Sequence, residues 1–95
     1  MSSSDQLKLA FVGCGGIAES QWRGIQAIAP QIKVTAAIDS TPQRAQDMAD
    51  QTSGQPFTSL AEALADGDFS AVDIMLPHNM HEEAAVLAFQ AGKHV

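Results

Sequence analysis

The chain has 95 residues, room for one small domain at the roughly 100–200 residues a domain usually takes. Hydrophobic residues make up 45% and charged residues 17%, which excludes the apolar-poor composition of a disordered segment and predicts an aliphatic core, since Trp22 and four Phe are the only aromatics. The net charge is −6, and Lys8, Arg23, Lys33, Arg44 and Lys93 are scattered singly, so nothing resembles a basic patch for a nucleic-acid backbone.

In chain order, Met1 to Gln6 is a polar start without the apolar stretch of a signal peptide, and it is expected to be flexible. The folded domain then runs from residue 7 to residue 95. Leu7 to Val12 is a short apolar run that stops at Gly13, as a strand buried on both faces does. Ile17 to Ala29 carries apolar residues at helical spacing (Ala18, Trp22, Ile25, Ala29) and closes at Pro30. Ile32 to Ile38 is β-branched and apolar, a second strand ending at Asp39. Ser40 or Thr41 is the expected cap of a second helix from Pro42 to Thr52, with Ala45, Met48, Ala49 and Thr52 inward and Gly54 as its stop. Gln55 to Phe57 allows a brief third strand. Ser59 to Glu62 has the capping-box form and opens a short helix with Leu60 and Leu64 inward, ended by Asp66-Gly67-Asp68. Ala71 to Leu76 is a fourth strand broken at Pro77. Met80 to Ala91 is an alanine-rich helix with Ala84, Leu87, Ala88 and Ala91 on one face and Gly92 as cap. A fifth strand begins at Lys93-His94-Val95. Such alternation predicts an α/β fold, a Rossmann-type doubly wound parallel sheet with helices on both faces. No apolar run approaches the roughly 18 residues of a membrane span.

The stretch Gly13-Cys14-Gly15-Gly16-Ile17-Ala18 is a G-x-G-x-x-A fingerprint placed directly after a strand and at the start of a helix. Gly13 makes the tight turn, Gly15 lets backbone approach a pyrophosphate, and small Ala18 lets helix pack close to strand. The backbone N–H groups of Gly15, Gly16 and Ile17 then offer donors to an anion. The plain alternative is an ordinary glycine turn. Against it stands Asp39, at the end of the second strand and about 20 residues further on, where a carboxylate accepts from both hydroxyls of an adenosine ribose and repels a 2′-phosphate. At an effective dielectric near 20, unit charges about 4 Å apart repel by roughly 4 kcal/mol, so NAD is favoured over NADP. Ser40 beside it joins the cofactor-binding set. Arg44 could stack on adenine or neutralise a 2′-phosphate, which would admit NADP, or it could be a solvated surface arginine.

Cys14 is the only cysteine, as befits a reducing cytoplasm. A thiol at a helix N-terminus would have a lowered pKa, but this is a small-residue slot with no base placed beside it, so no catalytic role is assigned. Ligands in open α/β sheets bind beyond the carboxyl ends of the strands. Leu76, Pro77, His78, Asn79 and His81 belong to that edge and are assigned to the cofactor loop, with Asn79 or Met80 capping the next helix and Glu82 and Glu83 at its positive end. His78 and His81 have the spacing of a partial metal set, but no further ligands complete it, and no metal is expected.

With the glycine fingerprint, Asp39, Pro77-x-x-x-His81 and the terminal Ala91-Gly92-Lys93-His94-Val95 in order, the sequence resembles the N-terminal domain of the Gfo/Idh/MocA oxidoreductases, relatives of glucose-fructose oxidoreductase and inositol dehydrogenase. The resemblance implies a nicotinamide dinucleotide held by the glycine loop, Asp39 and the Pro77 to His81 loop. It also implies hydride transfer at a sugar or cyclitol carbinol, and a second domain that holds substrate and forms oligomers. His78 stands where the family often has Asn. The family's catalytic lysine lies in a Glu-Lys-Pro motif beyond Val95, and Lys93 is not that residue. We therefore expect the dinucleotide-binding portion of an NAD(P)-dependent sugar or polyol dehydrogenase, interrupted at its fifth strand, that alone binds cofactor weakly and catalyses nothing. The other reading is a self-standing dinucleotide-binding or redox-sensing module.

Overall fold

The computed structural model describes residues 7–28 and 31–95, without the side chains of Ile28 and His78. The polar start and the helix end expected at Ala29 and Pro30 lie outside the described residues. The elements are β1 (Leu7–Val12), α1 (Gly16–Ile28), β2 (Ile32–Ile38), α2 (Pro42–Thr52), β3 (Gln55–Phe57), α3 (Leu60–Asp66), β4 (Ala71–Ile74) and α4 (His78–Gln90). All strand pairs are parallel, in the order β3-β2-β1-β4. The chain winds outward through β2 and β3, then crosses back to lay β4 on the other side of β1. That reversal opens a crevice at the carboxyl ends of β1 and β4.

Alternation of side chains along β1 explains its unbroken apolar character. Leu9 and Phe11 face one layer, where Val34 and Ala37 of β2 meet Ala18 of α1 and Met48 and Ala49 of α2, with Trp22 and Ile25 packed at the edge. Ala10 and Val12 face the other, with Ala36, Ile38, Phe57 and Val72 from the sheet, Ala63 of α3 and Ala88 of α4. The alanines at these contacts let the helices approach the sheet closely. The register between β1 and β2 shifts by one residue, Leu9 opposite Val34 and Ala10 opposite Ala36, which leaves Thr35 as an extra residue. Its hydroxyl donates to the Asp68 carbonyl.

Two element ends differ from the sequence reading by more than a residue, and one helix stop and one helix face also depart from it, each for a local reason. β4 stops at Ile74 rather than Leu76, although the Met75 N–H still donates to the Val12 carbonyl at 2.7 Å. α4 begins at His78, before Met80, with Pro77 in the cap position. Proline has no N–H to leave unpaired, and its fixed φ suits a helix entrance. Neither Asn79 nor Met80 is therefore the cap, and Glu82 and Glu83 fall in the second turn. The first turn of α4 contains no acid. At the end of α2, Ser53 and not Gly54 takes the left-handed conformation, at φ 63°. Gly54 is required for space, since a Cβ there would lie 2.9 Å from the Thr35 carbonyl carbon. Finally, Ala84 and Ala88 are buried on α4 while Leu87 and Ala91 stay exposed, because close packing through alanine leaves the larger neighbours at the rim.

Ser59 caps α3 as its sequence indicates, its hydroxyl accepting from the Glu62 N–H at 3.1 Å. The Glu62 carboxylate accepts from Thr58 instead of completing the box. After α4 the chain reaches the outer edge of β4, where His94 pairs in parallel with Ala71. Lys93 secures this return: its ammonium donates to the Phe69 carbonyl at 2.9 Å and stands 5.1 Å from the centre of the Phe69 ring. Replacing Lys93 with Met keeps the aliphatic stem and removes both contacts. Denaturant titration should show the variant about 1–2 kcal/mol less stable, whereas an unchanged midpoint would mean that the ammonium contributes nothing.

Candidate functional site

The site starts from Gly13. Its N–H donates to the Ile38 carbonyl at 2.7 Å, its φ is +96°, and a Cβ added to it would stand 2.6 Å from the Met75 carbonyl oxygen. The turn out of β1 is thus clamped between the ends of β2 and β4, and only glycine fits. Gly15 and Gly16 differ: a Cβ on either meets nothing within 4 Å. They face open space at the entrance of α1, where the Gly15 carbonyl accepts from Ala18 and Glu19. No group among the described residues accepts from the N–H groups of Gly15, Gly16 or Ile17. Three donors at the positive end of a 13-residue helix, with no side chain on Gly15 or Gly16 to cover them, can meet a pyrophosphate. Ala18 is fully buried beneath them, while the Ile17 side chain points outward.

Asp39 follows the last residue of β2, half-buried, its N–H donating to the Phe57 carbonyl at 3.1 Å. One carboxylate oxygen accepts from the Cys14 N–H at 2.8 Å and the other from the Thr41 N–H at 2.8 Å. Each oxygen keeps a lone-pair direction for an external donor. Thr41 occupies the cap position of α2 without a side-chain cap bond, and Asp39 satisfies its N–H instead.

Cys14 departs from the behaviour expected of a thiol at a helix entrance. It is buried, donates to the Ile38 carbonyl at 3.5 Å and lies beside the Asp39 charge. Burial first, and the Asp39 carboxylate second, push its pKa up to about 12, although the hydrogen bond to Ile38 works the other way. The thiol fills space and stays protonated.

Two clefts flank this centre. One, of about 380 Å³, runs from Asp39 and Ser40 over Val12 and Ile38 to Leu76, Asn79, Met80 and Glu83, with Leu60 and Leu87 as apolar walls. The other, of about 430 Å³, lies between α1 and α2 and is lined by Cys14, Gly15, Gly16, Glu19, Arg44, Asp47, Met48 and Gln51. Asp39, Ser40, Leu76 and Asn79 therefore share the first cleft, while Arg44 lines the second. Pro77 caps α4, and exposed His81 lies one turn on. Neither lines either of these two clefts, nor does the Ile17 side chain. Sequence reasoning missed Leu60, Met80, Glu83 and Leu87, whose spacing reads as ordinary helix surface or core; only the packing of α3 beside α4 makes them one wall. Among the described residues no three His, Cys, Asp or Glu side chains converge as a metal set. No described helix is long and apolar enough to cross a membrane.

Residues 7–95 match the GFO_IDH_MocA family model, described as the oxidoreductase family with an NAD-binding Rossmann fold. The chain belongs to this oxidoreductase family. Among curated members, a 4-carboxy-2-hydroxymuconate-6-semialdehyde dehydrogenase from a Sphingobium species is 31% identical over 90 residues, covering 94% of this chain and 28% of that protein. Among solved members, the WlbA dehydrogenase of Bordetella pertussis, in complex with NADH and UDP-GlcNAcA, is 29% identical with a TM-score of 0.88, covering 95% of this chain and 28% of that one. A variant of KijD10, a 3-ketoreductase of Actinomadura kijaniata, in complex with TDP-benzene and NADP, is 30% identical with a TM-score of 0.81 over 95% of this chain and 29% of its own. The chain thus spans about 28% of the length of the curated family members it matches. The family's Rossmann fold is NAD-binding, and NADP is the dinucleotide in the KijD10 complex.

Two outcomes test this geometry. Gly13→Ala must place a Cβ against the Met75 carbonyl at positive φ, and should cost about 2–4 kcal/mol of unfolding free energy; a cost below about 1 kcal/mol would contradict the clamp. The thiol pKa is 9.0 in the unfolded chain and about 12 in the folded one, so the stability it contributes is complete below pH 9 and is lost as pH rises toward 12. Denaturant midpoints measured above about pH 9 should therefore fall more steeply for wild type than for Cys14→Ala, and parallel curves would contradict the buried, protonated thiol.

Proposed function

We propose that this chain forms the dinucleotide-binding portion of an NAD-dependent oxidoreductase that moves hydride to or from a carbinol carbon of a sugar, cyclitol or related polyol. The single observation that carries the cofactor half is the Asp39 carboxylate, 2.8 Å from the backbone of a glycine turn whose next three N–H groups face outward. In this reading the N–H groups of Gly15, Gly16 and Ile17 hold the pyrophosphate. Asp39, with Ser40 beside it, receives the adenosine ribose, and the slot of Leu60, Leu76, Met80 and Leu87 takes adenine, with Glu83 at its rim. Pro77 and His81, which lie outside that slot, are assigned to the nicotinamide-side ribose. The bound nicotinamide supplies the hydride chemistry; positioning of substrate and proton transfer are assigned to a second domain, without which the barrier is not lowered.

The substrate class rests on relatives named for sugar nucleotides, the WlbA dehydrogenase with its UDP-GlcNAcA and a dTDP-3,4-didehydro-2,6-dideoxy-alpha-D-glucose 3-reductase of Actinomadura kijaniata. The working protein is a homo-oligomer in the cytoplasm, where the buried Cys14 stays reduced. NADP appears in the KijD10 complex. Here the negative Asp39 faces the ribose cleft, which supports NAD as the preferred dinucleotide, while Arg44 lines the cleft that holds the glycine backbone.

Calorimetric titration with both dinucleotides tests the reading. NAD should bind at least about tenfold more tightly than NADP, in keeping with charge repulsion in a half-buried site. Asp39→Ala should weaken NAD by about ten- to a hundredfold, the usual worth of hydrogen bonds to a charged group. A preference for NADP, or an unchanged NAD affinity in the variant, would overturn it.

A further inference from the structure

The two oxygens of Asp39 are already at work before any ligand arrives. One holds the Cys14 N–H and the other the Thr41 N–H, each at 2.8 Å. Cys14 is the second residue of the glycine turn, and Thr41 opens α2, so a single carboxylate ties together two segments of backbone that approach only in the fold. The turn has two other ties to the end of β2, both to the Ile38 carbonyl: the Gly13 N–H at 2.7 Å and the Cys14 thiol at 3.5 Å. The thiol tie is long and weak. The tie to Asp39 is short and charge-assisted, and bonds of that kind are about twice as strong as neutral ones. It also sits immediately before the three free N–H groups, so it sets the plane from which they project.

We propose that Asp39 is a positioning residue for the pyrophosphate-binding turn as well as the acceptor for the ribose. This rests on the ribose reading given above. The carboxylate, which accepts in about four directions, uses one on each oxygen for the protein and keeps one on each for the ligand. It fixes the Cys14 amide, and thereby keeps the donors of Gly15, Gly16 and Ile17 preformed instead of ordered at the moment of binding. An asparagine cannot copy this. Its oxygen can serve one of the two N–H groups, while its amide nitrogen meets the other donor to donor. Exchanging the acid to admit NADP would therefore loosen the pyrophosphate turn, and the gain in NADP affinity would fall short of the repulsion relieved.

The test compares NAD with its analogue carrying 2′,3′-dideoxyadenosine, titrated against wild type, Asp39→Asn and Asp39→Ala. An acid that only receives ribose hydroxyls would leave the dideoxy analogue equally bound by all three proteins. A brace makes the variants weaker for both ligands, by about three- to tenfold for the dideoxy analogue and by more for NAD. Amide hydrogen exchange without ligand supplies an independent readout: Asp39→Asn should lose protection at Cys14 or Thr41, whichever its oxygen no longer serves, and Asp39→Ala at both, while the sheet amides keep theirs. Equal affinity of wild type and Asp39→Ala for the dideoxy analogue, with unchanged exchange at Cys14, would overturn the brace and leave the ribose reading intact. If wild type bound no NAD, the ribose reading would fall and the brace would stand or fall on the exchange result.

Discussion

The structure depends on how closely three strand ends are drawn together at Gly13. Its N–H reaches the Ile38 carbonyl at 2.7 Å on one side, and on the other the Met75 carbonyl leaves no room for a Cβ. Any wider turn would move β4 away from β1 and separate the groups that converge there. Because the turn is tight and left-handed, α1 starts almost at once, with its first N–H groups facing solvent over the sheet end. The chemistry of the site is in this sense a by-product of a steric constraint on one residue.

From that clamp the two faces acquire different characters. Beside α3 and α4 the cleft is walled by Leu60, Leu76, Met80 and Leu87 and ends at Asp39, an apolar slot with an acid at one end. Between α1 and α2 the cleft is mixed in charge, with Glu19, Arg44 and Asp47 around the glycine backbone. The adenosine diphosphate half of a dinucleotide has a flat base, a diol and a diphosphate, and the first cleft together with the glycine cradle offers a counterpart to each. Cys14 lies between the clefts with its thiol turned inward, which keeps a reactive group out of contact with the anion the turn is built to meet.

Much of this was legible from sequence because backbone requirements leave signatures. Gly13, the unbroken apolar β1 and the acid after β2 are local demands, and each shows as a residue type at a fixed place; the parallel order of the strands follows from their alternation with helices. What escaped depended on contacts distant in sequence. Nothing in the sequence shows that Glu83 and Leu60 share a wall, since that requires α3 to pack beside α4. The expected low pKa of Cys14 followed from its place at a helix entrance, but burial against Ile38 and the neighbouring Asp39 charge outweigh that local effect. Arg44 shares a cleft with the glycine backbone, Glu19 and Asp47, a grouping that depends on where α2 lies beside the glycine turn. The start of α4 was misplaced for a similar reason: Pro77 was read as a break, and it serves as an entrance.

The claim that joins these parts is that the glycine cradle and the α3/α4 cleft together bind one dinucleotide. Residue-resolved amide NMR during titration with NAD tests it most directly. Gly15, Gly16, Ile17, Asp39, Ser40, Leu60 and Met80 should shift together along a single saturating curve. Shifts confined to Glu19, Asp47 and Gln51, with the glycine cradle and the α3/α4 cleft silent, would contradict it.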